Sequence, residues 1–236
     1  MRSAVHPRSH TARIGAAREA ITAVVASYQD TITRLYARVR FLILRQPFLD
    51  EIGQYLPARG QVLDLGCGFG LFSLYYALLE PERQLTGVDL NPRRIAMAKR
   101  SAARLGLGNV RYEVSDVRKW QGEERFDAIY MLDLVHHLPE GEVRDFLESV
   151  RARLRPHGIL VIKDVSDRPL YKMGFTWLLD RLMVGWREPI RYWPPAELLD
   201  LLEALGFAVK RHAMNDFLPY PHVLYVACLD QSPPAR

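Results

Sequence analysis

The 236-residue chain predicts an α/β protein: a doubly wound, mostly parallel sheet of seven strands, with extra helices at its N-terminus. Three observations point there. A short apolar run around Val62, Leu63 and Leu65 gives way to glycines at 66, 68 and 70, and the apolar stripe of a helix, Leu71, Leu74 and Leu78, follows at once. Strand-like and helix-like segments then alternate as far as Gly206. The last two apolar runs, 208–214 and 222–228, have no helix between them and read as a hairpin at the sheet edge, with the final strand antiparallel.

The glycine loop is the part the other elements serve, because glycine lets backbone approach a ligand that any Cβ would push away. Its spacing separates two ligands. A dinucleotide fingerprint needs G-x-G-x-x-G, with a pyrophosphate on the helix N-terminus. Here the spacing is G-x-G-x-G, preceded by Asp64. A carboxylate there repels a pyrophosphate and suits a ligand with an ammonium group. The stretch D-L-G-C-G-F-G resembles the first motif of the class I S-adenosylmethionine-dependent methyltransferases, D/E-x-G-x-G-x-G, at every defined position. That resemblance implies S-adenosylmethionine lying across the strand ends. Gly66, Cys67 and Gly68 would offer backbone to its methionyl end, and Asp64 would lie near its ammonium.

The later segments follow in the order that the resemblance requires. The second strand, from Gln84, ends in Asp89, about twenty residues past the glycines, where an acid recognises ribose hydroxyls. Leu90 is expected to pack on the adenine, and Asn91-Pro92 opens the next helix as N-cap and first residue. After a third strand over 109–114, the resemblance implies that Asp116 accepts from the adenine amino group and that Val117 offers a backbone N–H. A fourth strand over 125–132 carries Leu132 at its tip, beside the cofactor, and runs into Asp133, Leu134, Val135, His136 and His137. This segment is similar to the fourth motif of small-molecule methyltransferases. Either histidine could serve as a general base near neutral pH, His137 ahead of His136, with Asp133 the third catalytic candidate. The turn at 155–158 and the fifth strand, 159–162, also resemble the family and lead to Lys163 and Asp164; Asp164 and Tyr171 are further acceptor-side candidates.

The flanks are less regular. Residues 1–15 read as a disordered tail, 16–57 as a helical arm or lid, and 58–230 as the S-adenosylmethionine-binding domain. Within it, 165–195 is an aromatic insertion suited to a flat or greasy acceptor. In the arm, Ile21, Val24, Tyr28, Ile32, Leu35, Val39 and Leu42 fall on one stripe of a helix running from about Ile14 to Arg45, with Arg34, Arg38 and Arg45 on a solvated far side. Residues 1–59 hold nine arginines against four acids, whereas the remainder holds 23 basic and 23 acidic residues. The net charge of +5 therefore belongs to the arm, which argues against a nucleic-acid groove in the body and allows peripheral contact with a membrane surface.

Two distant cysteines, Cys67 and Cys228, imply neither a disulfide scaffold nor a metal site, and a reducing cytoplasm is the expected setting. No Asp/Asn-Pro-Pro-Tyr/Phe motif follows the fourth strand, and Cys67 is in the wrong place to attack a pyrimidine. The expected function is methyl transfer to an O, N or C atom of a small, apolar, aromatic or lipid-like acceptor. The alternatives are a catalytically silent cofactor-binding partner and, against the glycine spacing, a nicotinamide-dependent oxidoreductase.

Overall fold

The computed structural model describes residues 10–166, 191–214 and 222–229. Its sheet contains β1 (Gly60–Leu65), β2 (Arg83–Asp89), β3 (Val110–Val114), β4 (Phe126–Leu132), β5 (Leu154–Val165), β6 (Phe207–Met214) and β7 (His222–Leu229). Their order is β3-β2-β1-β4-β5-β7-β6. β7 runs antiparallel to both neighbours and every other pair is parallel, as expected from the sequence. The order reverses between β1 and β4, and the crevice at that reversal is where open α/β sheets take ligands.

Both sheet faces are covered because strand side chains alternate. Ala128 and Tyr130 of β4 join the core beneath α4 (Leu71–Leu79) and α5 (Pro92–Arg104). Ile129 and Met131 join the opposite core, beneath α6 (Glu140–Ala152) and α7 (Pro195–Ala204). Asn91 caps α5 as expected, its Oδ1 accepting from the amides of Arg93 and Arg94 at 2.9 and 3.2 Å.

The arm departs from the expectation in its first helix. The stretch from Ile14 to Arg45 forms two helices, α1 (His10–Ser27) and α2 (Thr31–Ile43), and the short α3 (Gln46–Gly53) follows at Pro47. Asp30 restarts the helix, its carboxylate accepting from the Thr33 amide at 2.7 Å, and this N-cap turns α2 about its axis. Thr33, Ala37 and Phe41 consequently face inward, while Ile32, Leu35 and Leu42, assigned to the buried stripe, are 79%, 59% and 60% exposed. On the side expected to be solvated, Arg34 folds back onto the Tyr28 carbonyl at 2.8–3.0 Å. Residues 16–57 pack onto the body. Ala17, Val24, Tyr28, Phe41 and Leu49 share one continuous core with α4, α5 and the sheet. The aromatic insertion, including Tyr171, falls almost wholly outside the described residues.

Candidate active site

The glycine loop is built from both ends. Gly66 and Cys67 donate their amides to the Val88 carbonyl at 2.8 and 3.1 Å, and Gly68 donates to Asp89 Oδ2 at 3.0 Å. The loop is thus pinned to the tip of β2. Gly68 and Gly70 both have positive φ, 56° and 77°, for different reasons. A Cβ on Gly70 would lie 2.6 Å from the Tyr112 hydroxyl, so that glycine serves packing. A Cβ on Gly68 would meet nothing within 4 Å, so that glycine faces open space where a ligand can approach bare backbone. With these three amides already donating to β2, the loop does not offer them to a phosphate.

Acids crown five adjacent strand tips in the spatial order β3, β2, β1, β4, β5: Asp116, Asp89, Asp64, Asp133 and Asp164. Their partners divide them. Asp116 is held below the usual carboxylate range by a two-pronged bond from Arg118, Nε at 2.9 Å and Nη2 at 2.6 Å. Asp89, whose Oδ1 also accepts from the Asn91 amide at 2.8 Å, is held by backbone amides. Burial pushes Asp64 up to about 7, Ser73 and Tyr130 hydroxyls opposing the rise and Asp89 adding to it. The cofactor half of the crevice therefore offers two carboxylates, Asp64 and Asp89, suited to a cation. Leu90, 66% exposed at the end of β2, presents the apolar surface expected for a base. Val117 is half-buried in the turn after β3, and Leu132 is buried at the end of β4.

The β4–β5 side is different. Asp133 sits in the left-handed region at φ 58°, a conformation that Asp tolerates better than most residues. Its Oδ2 pairs with Arg40 Nη2 of α2 at 2.8 Å, its Oδ1 pairs with the fully buried Lys163 of β5, and its amide donates to the Lys163 carbonyl at 2.8 Å. Burial alone would raise this carboxyl, but the two cations outweigh burial and hold it well below the usual range. Val135–His137 forms a single 3-10 turn. Within it, His136 Nδ1 bonds Asp164 Oδ1, and the His136 amide donates to Asp164 Oδ2 at 3.2 Å. Asp164 is fixed in turn by the Val165 amide at 2.7 Å. His137 packs against His136 with ring centroids 4.0 Å apart and the rings tilted by 46°, and burial, with His136 beside it, lowers its pKa to about 4.

The glycine loop, the five acids and the two histidines thus lie along the C-terminal ends of the strands, Tyr171 falls outside the described residues, and two partners of Asp133 were missed in the sequence reading, Arg40 and Lys163. Lys163 carried a usable signal, a lone cation ending an apolar strand run. Arg40 carried none, since it meets a partner 93 residues away. A cavity lined by Gln61, Thr86 and Asn109 opens at the opposite, N-terminal end of the strands, the wrong end for a ligand of this architecture.

Sheet order, glycine loop and strand-tip acids are those of the class I S-adenosylmethionine-dependent methyltransferase fold. Residues 62–158 match the family described as "Methyltransferase domain". The chain is 31% identical over 162 residues to a ubiquinone biosynthesis O-methyltransferase of Cereibacter sphaeroides, an alignment that takes in 66% of this chain and 64% of that relative. The chain thus spans somewhat less than two thirds of the length of this curated relative. Among solved structures, the magnesium protoporphyrin IX methyltransferase from Synechocystis PCC 6803 with bound SAH superposes with a TM-score of 0.61 at 18% identity, covering 78% of this chain and 83% of that one. A cyclase superposes equally well, TM-score 0.63 at 17% identity over 78% of this chain and 80% of that one, so the reaction has to be argued from the site.

Proposed function

We propose that the protein moves the methyl group of S-adenosylmethionine to an oxygen of a small aromatic or lipid-like acceptor, quinone-type compounds included. The observation that carries the cofactor reading is the open backbone at Gly68, flanked by Asp64 and Asp89 on adjacent strand tips. Asp64 and the loop carbonyls would hold the ammonium, Asp89 the ribose, and Leu90 with Asp116 and Val117 the adenine. The cofactor supplies an electrophilic methyl, so the chain's own task is to align an acceptor atom in line with it at about 3 Å. An acceptor hydroxyl must also lose its proton, and there the order of the two histidines reverses. His137, lowered to about 4, is a weak base at neutral pH. His136 is oriented by Asp164 through Nδ1, so proton removal would run through its Nε2. The acceptor reading is supported by curated relatives named as O-methyltransferases of ubiquinone biosynthesis.

Calorimetric titration tests the cofactor reading first. S-adenosylmethionine should bind and NADH should not; the reverse would end it. Asp89→Ala should weaken cofactor affinity ~10-fold or more, through lost hydrogen bonds and a loosened Gly68 amide. Asp64 adds a pH dependence. A cationic ligand prefers the ionised carboxylate, and Asp64 is protonated below about 7. Affinity should therefore rise with pH by up to about tenfold per unit below that point and level off above it, with proton release on binding. Asp64→Asn should flatten the profile, and a wild-type profile already flat between pH 6 and 8 would contradict the assignment. Incubation of protein and labelled cofactor with host extract then identifies the acceptor as the compound that gains one methylene in mass.

A further inference from the structure

We propose that the outer face of α2 docks on an anionic lipid surface. An isolated exposed leucine needs no explanation, but Ile32, Leu35 and Leu42 share one face, with the half-buried Val39 between them. The other large apolar side chains exposed to this degree among the described residues are Leu90 and Val114, both at strand tips by the cofactor crevice. The stripe is not a frayed piece of core, because the opposite side of the same helix is already spent. Thr33, Ala37 and Phe41 are buried there, Phe41 stacks edge-on with Phe72 at 5.7 Å, and Arg40 reaches Asp133.

Charge selects the occupant. Arg38 is exposed at the edge of the stripe, and the whole positive surplus of the chain lies in residues 1–59. A narrow apolar stripe flanked by arginine is what an interfacial helix presents to anionic headgroups. A second copy is a poorer match, since a stable dimer buries roughly 800 Å² per partner and one convex helix face supplies far less. Docked this way, α2 would hold lipid on one side and the acceptor half of the crevice on the other, placing a greasy acceptor near the site. The surface itself is argued independently of the acceptor's identity.

The test is co-sedimentation of the full chain with phosphatidylcholine vesicles, with and without phosphatidylglycerol. Wild type should sediment with the anionic vesicles, more weakly as salt rises. The double substitution Leu35→Glu and Leu42→Glu, at exposed positions, should lower vesicle affinity roughly tenfold or more and leave cofactor affinity unchanged; that second readout separates failure of docking from failure of the cofactor reading. Equal vesicle binding by wild type and variant would overturn the proposal, as would wild-type binding to neutral vesicles as strong as to anionic ones, or to neither. A wild-type dimer that the same substitutions dissociate would assign the face to a second copy and overturn it equally.

Discussion

Asp133→Ala is expected to destabilise the protein by about 3–5 kcal/mol, the range for removing one partner of a buried ion pair and stranding the other. Two charges are stranded here: Lys163, fully buried, and Arg40, largely buried against Phe72. In a chain of this size the loss should lower the melting temperature by about 10 °C. Alanine at φ 58° adds backbone strain that asparagine avoids, so Asp133→Asn should be the milder variant although it removes the same charge. Arg40→Met, which leaves Asp133 paired with Lys163, should be milder still. The pH dependence has a definite sign. Because Asp133 stays ionised well below the usual carboxylate range when folded, its stabilisation is full above about pH 4 and is lost as pH falls through the folded value. The stability gap between wild type and Asp133→Asn should therefore shrink on acidification. Thermal melts from pH 3 to 7 decide it, and a gap independent of pH would show that the charge does not stabilise the fold.

His136→Gln should reduce kcat ~10²–10⁴-fold, the usual worth of a general base, while cofactor affinity stays constant. Asp164→Asn, which keeps a hydrogen bond to Nδ1 but not its charge, should give a smaller loss and move the pH optimum, since Asp164 acts by positioning and polarising His136. His137→Gln should have the weakest effect of the three, because a histidine lowered to about 4 is neutral throughout the working range. Single-turnover kinetics with saturating cofactor would separate these outcomes. Full activity of His136→Gln would mean that the acceptor arrives already nucleophilic, as a free amine does, and would remove the basis for an oxygen acceptor.

The arm also shapes how these experiments should be designed. Removing residues before Asp50 would delete Val24, Tyr28, Phe41 and Leu44 from the main core and the Arg40 partner of Asp133. Tyr28 donates to the Phe69 carbonyl at 2.8 Å and Arg104 to the Ser27 carbonyl at 2.6 Å, so the glycine loop and α5 both rest on the arm. Point changes on the outer face of α2 leave all of this in place.

The features the sequence determined by itself are local ones. The glycine spacing, the acids closing β1 and β2, the Asn91 cap and the apolar run of β4, buried on both faces, all follow from backbone and side chains within a few residues of one another. Local rules of φ, capping and continuous apolar runs are enough to read them. The facing of α2 rests on a local signal too, Asp30 with Thr33 as a helix start, which places Thr33, Ala37 and Phe41 inward and Ile32, Leu35 and Leu42 outward. Tertiary structure alone decided that Arg40 and Lys163 converge on Asp133, and that Asp164 takes His136 rather than His137. Those pairs join residues 28 to 93 positions apart, on elements that only the sheet order brings side by side. No periodicity or spacing in the chain encodes which of several buried charges will meet, because that choice is made by packing.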